Sequence, residues 1–270
     1  MAHYAVPVKP MPVSPVSAAT LVLLRDRPAG GLEVLLIQRH RASKFAGGDF
    51  VFPGGKVEVD DNPEDAPAWC RGLEVAEAAR VLGLDAAPEL AVGYWIGAIR
   101  EAFEEVGVLL AYEADGREVR LDAPRFGGYR RDCQVDNRAF WEMLRAERLR
   151  LATDRLVYFA HWITPEEQPL RYDTRFFAAP MPPHQAAVAD EREIIAVRWL
   201  TPRDALDARS RGELSLRLPT VKNLELLGGA TSTAEALRAL AGRPVSMIRP
   251  RLVVEDGVPR ALLPDDPGYF

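Results

Sequence analysis

The sequence predicts an α/β fold in which a sheet packs against helices. Short segments rich in branched aliphatic residues, typical of strands, recur along the chain and are separated by turns that contain Gly and Pro. Alanine-rich segments flanked by charged residues lie between them and are typical of helices. Because strands alternate with a few helices, without an internal repeat, the pattern favours an α/β sandwich.

The chain opens with an expected extended arm and a predicted β-hairpin. Residues 1–16 carry four prolines and no strand pattern, which indicates an extended arm. Two strands, at 20–25 and 33–39, flank a turn that contains a proline and two glycines.

Two helices are predicted next, at 66–82 and 89–106. Gly93 and Gly97 are points at which the second helix could be interrupted, since glycine is a poor helix former. Gly107 follows the last periodic residue and is expected to cap the helix.

The rest of the chain contains further helices and strands. Thr201-Pro202 opens one helix, with threonine as the N-cap and proline in the first turn. The predicted helices lie at 139–151, 202–207, 219–227 and 233–241, and the predicted strands at 155–164, 174–179, 194–200 and 252–254.

The composition is that of a soluble globular protein with an acidic balance. The 270 residues carry a net charge of −5, which disfavours nucleic acid as a partner because nucleic acid binds broad basic surfaces. Cys70 and Cys133 form no CxxC pair and are interpreted as reduced thiols. Without a secretory signal or a run of 18 apolar residues, the chain is expected to be cytoplasmic and not to bind membranes.

The segment from Arg100 to Gly107 carries the strongest chemical signal. Glu101, Glu104 and Glu105 stand at i, i+3 and i+4, so a helix places three carboxylates on one face within one turn. Carboxylates this close repel one another unless a cation lies among them, and hard divalent cations prefer oxygen ligands. Arg100 can brace Glu104. The alternative interpretation is a solvated, charged helix end.

A glycine loop, Phe52-Pro53-Gly54-Gly55, precedes this helix, and glycine lets a backbone carbonyl approach a ligand closely. Together the loop and the helix resemble the Nudix box, G-x5-E-x7-R-E-U-x-E-E-x-G-U, in which U is apolar. Gly55 matches the first position. The second half of the box is matched by Arg100-Glu101, Ala102, Glu104-Glu105, Gly107 and Val108.

The spacing departs from the Nudix pattern. Counted from Gly55, the pattern places its arginine at position 69, whereas the arginine here is Arg100, so 31 residues are inserted. The mid-box glutamate stays open among four candidates: Glu58, Asp61, Glu64 and Glu89. The interrupted box and the later motif RYDTRFF at 171–177 resemble the branch of the family that contains the peroxisomal coenzyme A diphosphatase.

The resemblance implies the Nudix fold, a mixed β-sheet sandwiched between helices, with a helical insertion within the box. It places the Nudix hydrolase domain at residues 17–227, with the insertion at about 59–93. Residues 228–270 are then a C-terminal extension.

The resemblance also implies a divalent cofactor, Mg2+ or Mn2+. Glu104 and Glu105 are the expected ligands, with Glu101 as ligand or base, and the Gly54 carbonyl completes the coordination. Family members often recruit one more carboxylate from a loop before the last core strand. Glu193 is the first choice for it and Glu191 the second; a surface charge is the alternative.

Three arginines are candidates for binding the substrate. Arg39, at the end of the second strand, resembles an arginine that family members aim at phosphate, a task suited to a planar, permanently charged group; a solubilising charge at a strand edge is the alternative. Arg171, Asp173 and Arg175 alternate along a predicted strand and share a face. That face is either a pocket wall or a salt-bridged sheet surface.

The activity implied by the resemblance is hydrolysis of a small nucleotide-derived molecule at its pyrophosphate. The catalytic base is open between Glu101 and Glu193. Coenzyme A or acyl-coenzyme A is the first choice of substrate, ahead of ADP-ribose, a dinucleotide or a nucleoside triphosphate. A Nudix-fold module that binds a nucleotide without cutting it is the competing class, and the complete set of carboxylates argues against it. A homodimer is compatible with the sequence.

Overall fold

The computed structural model describes residues 13–43, 45–255 and 257–269. Most of the predicted arm at 1–16 lies outside the described residues, and the first strand begins at Val16. The predicted α/β class is confirmed, because a mixed sheet packs against helices on both faces. None of the helices in the described ranges is long and apolar enough to cross a membrane.

The strands and helices of the described residues are numbered separately, each in chain order. The strands are β1 (Val16–Asp26), β2 (Leu32–Arg39), β3 (Phe50–Val51), β4 (Gly54–Lys56), β5 (Ala111–Tyr112), β6 (Arg150–Leu151), β7 (Val157–Ile163), β8 (Tyr172–Pro180), β9 (Ile194–Leu200), β10 (Met247–Ile248), β11 (Arg251–Glu255) and β12 (Val258–Leu262). The helices are α1 (Ala66–Trp69), α2 (Val75–Leu82), α3 (Ala91–Val106), α4 (Arg125–Cys133), α5 (Arg138–Glu147), α6 (Pro202–Ser210), α7 (Leu218–Leu227) and α8 (Thr233–Ala241).

The central strand of the main sheet is β1. Its strand order is β10-β7-β8-β1-β2-β3, with β4 also paired to β1 and β9 to β2. β1 runs parallel to β8 and antiparallel to β2 and β4, so the sheet is mixed. The register places Gly54 opposite Thr20 and Gly55 opposite Ala19, which fixes the glycine loop against the middle of the molecule.

Side chains alternate across β1 and build two cores. Ala19, Leu21 and Leu23 face the layer that contains α3, whereas Val22 and Leu24 face the layer that contains α7 and α8. Each fully buried aliphatic side chain contributes about 1.5–3 kcal/mol. The helix α3 is buried along nearly its whole length, so its acidic edge is held in a fixed position relative to the sheet.

The helical predictions before residue 107 need two corrections. The predicted helix at 66–82 is two helices, because the chain turns at Gly72, which has a left-handed φ of 66°. By contrast, α3 runs through Gly93 and Gly97 without interruption. Gly93 lets the Asn62 side chain approach the helix and Gly97 lets the Asp61 side chain do so, which is a packing reason for a poor helix former at both positions.

Two further elements differ from prediction. The helix α4 was not predicted, because it contains Gly127 and Gly128 and its apolar residues are few; Phe126 and Cys133 anchor it by burial. The predicted helix at 139–151 ends four residues early, at Glu147. The tail forms the hairpin β11–β12 instead of a single strand.

Candidate active site

The acidic residues of α3 lie along one edge of the core. The helix ends at Gly107, whose left-handed φ of 69° suits a residue without Cβ. Glu105 is buried, and Glu101 and Glu104 are partly exposed. The i, i+3, i+4 spacing therefore brings three carboxylates together as the sequence predicted.

Arg100 is the centre of a buried polar network. Its Nε donates to Asp61 Oδ1 at 2.8 Å and a terminal nitrogen donates to Oδ2 at 3.0 Å, while the two side chains are only 2% and 1% exposed. The other terminal nitrogen donates to Glu101 at 3.0 Å and to Glu104 at 3.2 Å. Burial acts to lower the pKa of Arg100, but the neighbouring carboxylates, Glu101 first, raise it overall, so the guanidinium stays charged.

Among the four mid-box candidates, Asp61 is the residue that contacts Arg100. The box pattern places this carboxylate six residues after its leading glycine, and Asp61 is six residues after Gly55. Counting from Gly55 would therefore have identified it from sequence. With Asp61 as the mid-box carboxylate, the 31 extra residues fall after it, at 62–92, within the expected range of about 59–93.

The two ends of the insertion meet beside α3. Gly93 N–H donates to Asn62 Oδ1 at 2.9 Å, and a Cβ at Gly93 would overlap the Asn62 amide. A Cβ at Gly97 would lie only 3.1 Å from Asp61 Oδ2. The chain thus leaves the box and returns to it at neighbouring points, with the short helices α1 and α2 in the excursion between them.

The glycine loop lies against the carboxylates, as predicted. Gly54 N–H donates to Glu105 Oε2 at 2.9 Å. A Cβ at Gly55 would lie 2.5 Å from Glu101 Oε1, so only glycine allows this approach. The predicted role of the Gly54 carbonyl as a metal ligand stays a prediction.

Arg39, at the end of β2, and Glu193, just before β9, complete the cluster. Arg39 donates to Glu105 Oε1 at 3.1 Å, and its other terminal nitrogen lies 3.7 Å from Glu193 Oε2. The Glu193 side chain is 67% exposed, in contrast to the buried Glu105. The structure therefore brings the two residues named from sequence into one site with the α3 carboxylates.

The electrostatics of this cluster are unbalanced. Its ion pairs join two guanidinium groups to five carboxylates: Asp61, Glu101, Glu104, Glu105 and Glu193. Burial is the largest effect at Glu104; with the charge of Glu101 it raises the pKa of Glu104 to about 7, against the opposing charge of Arg100. Burial, and then the charge of Glu101, also raises the pKa of Glu105 well above its ordinary value.

The donor set fits a hard divalent cation. The available ligands are carboxylate oxygens in a partly desolvated site, and their uncompensated negative charge is what such a cation would neutralise. In the part of the chain that the structure describes, no three acidic, His or Cys side chains already surround a common point. The oxygens are instead bonded to Arg39, Arg100 and Gly54 N–H.

Arg171 and Arg175 lie apart from the carboxylates of α3. Arg171 precedes β8 and donates to the carbonyls of Thr164 and Val13, at 3.1 and 2.6 Å. Arg175 pairs with Asp173, lies against His161 and donates to the Leu82 carbonyl at the end of α2. These contacts match the salt-bridged alternative for Asp173 and Arg175, and a role in substrate binding stays a prediction.

Comparison with protein families gives a match over more than half of the chain. Residues 80–227 match the family model described as the NUDT19 Nudix domain. The matched segment contains α3 and Glu193, whereas Gly54 and Asp61 precede it. The structure joins these two parts of the box.

The chain is similar to curated proteins over most of its length. It is 26% identical to the acyl-coenzyme A diphosphatase NUDT19 of Xenopus laevis, over 87% of this chain and 70% of that protein. It is 29% identical to the protein of the same name from Gallus gallus, over 88% of this chain and 74% of that protein.

The predicted fold is confirmed by a solved structure. A NUDIX hydrolase from Alicyclobacillus acidocaldarius superposes with a TM-score of 0.71 at 27% identity, and the match covers 86% of this chain and 99% of that chain. The chain described above therefore has the Nudix fold.

Proposed function

This chain belongs to the NUDT19 Nudix domain family, and on that premise we propose that it hydrolyses the pyrophosphate of coenzyme A or an acyl-coenzyme A. That it is a Nudix pyrophosphohydrolase follows from the family. The observation that carries the proposed hydrolysis is that the two halves of the Nudix box lie together despite the insertion between them. Gly54 N–H lies 2.9 Å from Glu105 Oε2, and Arg100 is paired with Asp61, 39 positions earlier.

Nudix hydrolases use divalent metal ions, and we propose Mg2+ or Mn2+ for this chain. Glu101, Glu104 and Glu105 would hold the ions, with the Gly54 carbonyl and Glu193 as further ligands. Such ions neutralise a pyrophosphate and acidify bound water. This assignment is supported by the surplus of carboxylate charge at the site.

The residues of the chain then have separate tasks. Arg100, paired with Asp61, holds Glu101 and Glu104 in one arrangement. Arg39 can bind substrate phosphate, because its guanidinium reaches the acidic cluster and is permanently charged. Arg171 and Arg175 are weaker candidates, since the contacts they make are to backbone carbonyls and Asp173 and not to the acidic cluster.

The proposed reaction is the attack of a water oxygen on one phosphorus of the pyrophosphate. A carboxylate, Glu101 or Glu193, accepts the proton of the water, and the bridging P–O bond breaks. Coenzyme A would give phosphopantetheine and adenosine 3′,5′-bisphosphate. Both products are phosphate monoesters, and no covalent intermediate with the enzyme is required.

The choice of coenzyme A derivatives rests on the named activity of the relatives from Xenopus laevis and Gallus gallus. ADP-ribose, a dinucleotide or a nucleoside triphosphate is the alternative substrate. A binding module without catalysis is the alternative class, but it has no need to keep a cluster of carboxylates whose burial, and then mutual repulsion, raises the pKa values of Glu104 and Glu105.

The test is a comparison of kcat/KM with Mg2+ or Mn2+ present. Coenzyme A and acyl-coenzyme A should be cut faster than ADP-ribose, NADH and nucleoside triphosphates, with products identified by mass. A higher kcat/KM for ADP-ribose or NADH would reject the coenzyme A proposal and leave the Nudix chemistry intact. No hydrolysis of any of these compounds would favour the binding module.

The cell compartment, the assembly and the domain limits are further proposals. Cys70 and Cys133 are buried and free, which agrees with a reducing, cytoplasmic compartment. A homodimer can be tested by light scattering on the purified chain. We keep residues 17–227 as the Nudix domain and 228–270 as a C-terminal extension.

A further inference from the structure

The carbonyls at the C-terminal end of α3 accept hydrogen bonds from several segments of the chain. The last carbonyls of a helix lack partners within the helix, so other groups must satisfy them. Val108 N–H donates to the Ala102 carbonyl at 3.2 Å, and Gly107 N–H donates to the Phe103 carbonyl at 2.9 Å. These two bonds do not involve the carbonyls of Glu104 and Glu105, which are called the acidic pair below. Those carbonyls are bonded by other segments.

Arg130 of α4 and Gln134, the residue that directly follows α4, supply those bonds. Arg130 Nε donates to the Glu104 carbonyl at 3.0 Å, and a terminal nitrogen of Arg130 donates to the Glu105 carbonyl at 2.8 Å. Gln134 Nε2 also donates to the Glu104 carbonyl, at 2.8 Å. A cation at this place is favoured because the helix dipole makes the C-terminal end negative.

The same two side chains also hold the segment that leads to β9. The terminal nitrogen of Arg130 that reaches Glu105 also donates to the Val188 carbonyl at 3.0 Å. Gln134 Nε2 lies 3.5 Å from Asp190 Oδ2. Asp190 Oδ1 in turn accepts the backbone N–H of Glu193 at 3.1 Å. One chain of contacts thus links the backbone of the acidic pair to the backbone of Glu193.

We propose that Arg130 and Gln134 are positioning residues that set the distance between the Glu104–Glu105 pair and Glu193. Neither side chain touches a carboxylate of the cluster; each bonds the backbone on which a carboxylate is carried. The inference rests on the proposed function, because the distance matters only if both sides act on one substrate. Displacement of a reacting group by about 1 Å can cost on the order of 100-fold in rate.

The test compares variants of Arg130 and Gln134 in the full-length chain. Arg130→Ala should lower kcat about tenfold with KM changed less than about twofold, because placement and not binding is lost. Arg130→Lys keeps the charge and one donor, and should recover part of kcat. Gln134→Ala removes a bond to the Glu104 carbonyl and should lower kcat about threefold.

The matched control is Arg125→Ala. Arg125 lies on the same helix and pairs with Glu147 at 2.7 Å, away from α3. The Arg125→Ala variant should leave kcat unchanged, and its change in Tm should be comparable to the change in Tm caused by Gln134→Ala. If kcat falls only in proportion to Tm across all four variants, the residues merely stabilise the fold and the proposal is overturned.

A double-mutant cycle with Glu193→Gln tests the link itself. The loss caused by Gln134→Ala should shrink to less than about twofold in the Glu193→Gln background, since there is then no functional carboxylate to misplace. Additive losses, or an unchanged kcat in Glu193→Gln alone, would reject the link to Glu193.

A second measurement separates this inference from the proposed function. Mn2+ binding to the full chain can be followed by electron paramagnetic resonance without any substrate. Arg130→Ala should weaken Mn2+ binding several-fold and Arg125→Ala should not. If the wild-type chain cuts none of the substrates tested, the proposed function fails, and the Mn2+ comparison still decides whether Arg130 positions the acidic pair.

Discussion

Two buried arginines each form the centre of a polar cluster at α3. Arg100 lies on the acidic edge of the helix, and Arg175 lies between the helix and the end of α2 in the insertion. Arg100 bonds to three carboxylates, and the cluster around it has more negative than positive groups. Arg175 lies over the Tyr94 ring and shares a single carboxylate, Asp173, with His161. The first cluster has a charge that the protein itself does not balance, whereas the second is nearly neutral.

This difference favours a ligand site at the first cluster and a structural ion pair at the second. A buried arginine with matched partners is explained by folding alone, because burying it requires partners. A surplus of carboxylates is costly to the fold, and a bound cation is the physical reason to keep it. Sequence spacing could not distinguish the two clusters, because both have charged residues on one face of a regular element.

The largest expected effect comes from the acidic pair. Glu105→Gln should lower kcat by about 100-fold or more, a barrier change of about 3 kcal/mol, because a proposed metal ligand is lost. The free energy of unfolding without metal should not fall, because burial of the charge and its repulsion by Glu101 outweigh the attraction of Arg39 and raise the pKa of Glu105. Steady-state kinetics and urea denaturation measure both. Full activity of the Glu104→Gln/Glu105→Gln double variant, or in EDTA, would refute the metal site.

The next effect is at the pair of Asp61 and Arg100. Asp61→Asn should lower the free energy of unfolding by about 3 kcal/mol and lower kcat as well, because it breaks a buried ion pair that orients Arg100. The matched control is Asp65→Asn, in the insertion. Asp65 pairs with Arg145 at 3.4 Å and both side chains are half exposed, so the loss of this pair should lower the free energy of unfolding by less than about 1 kcal/mol. Equal effects of the two variants would mean that Asp61 is not the mid-box carboxylate.

A variant of the second cluster tests the comparison directly. Arg175→Met should destabilise the protein by about 3 kcal/mol, since Asp173 loses its charged partner. The ratio of kcat/KM for coenzyme A over its 3′-dephospho form should not change. A ratio that narrows would show that Arg175 binds the 3′-phosphate and would support its predicted role in substrate binding.

The smallest effect is a pH dependence of stability at Asp173. Burial acts to raise the pKa of Asp173, but the hydrogen bond from His161 and the charge of Arg175 lower it overall. A lowered folded-state pKa gives stability that is complete above the unfolded value of about 3.9 and is lost as pH falls through the folded value. Urea denaturation between pH 7 and pH 3 should show a shallower acid loss for Asp173→Asn. An identical slope in both proteins would contradict the assignment.

The parts of the site that follow local rules could be predicted from sequence. The spacing of Glu101, Glu104 and Glu105 predicted one acidic helical face, and Gly107 predicted its end. The box pattern related Gly55 to Arg100 across the insertion. The same pattern, counted forward from Gly55, would also have singled out Asp61 from the other candidates.

The parts that depend on tertiary contact could not be predicted. Arg130 bonds to backbone carbonyls that are 26 and 25 positions away, and a carbonyl leaves no mark in a sequence pattern. The helix that carries Arg130 contains Gly127 and Gly128, so local propensity argued against it. Likewise, nothing local indicated that Arg175 donates to the carbonyl of Leu82.

The hydrogen bond between Gly93 and Asn62 has a consequence for how such a chain can change. The first residue of the insertion, Asn62, is hydrogen-bonded to Gly93, where the chain returns to the box. The number of residues between them therefore does not affect the geometry of the active site. Residues can be gained or lost between these two points with little entropic cost, since loop closure depends only weakly on length. The length of the segment can therefore change while the chemistry beneath it stays constant, whereas residues such as Leu82, which are buried in the core, limit how its sequence can change.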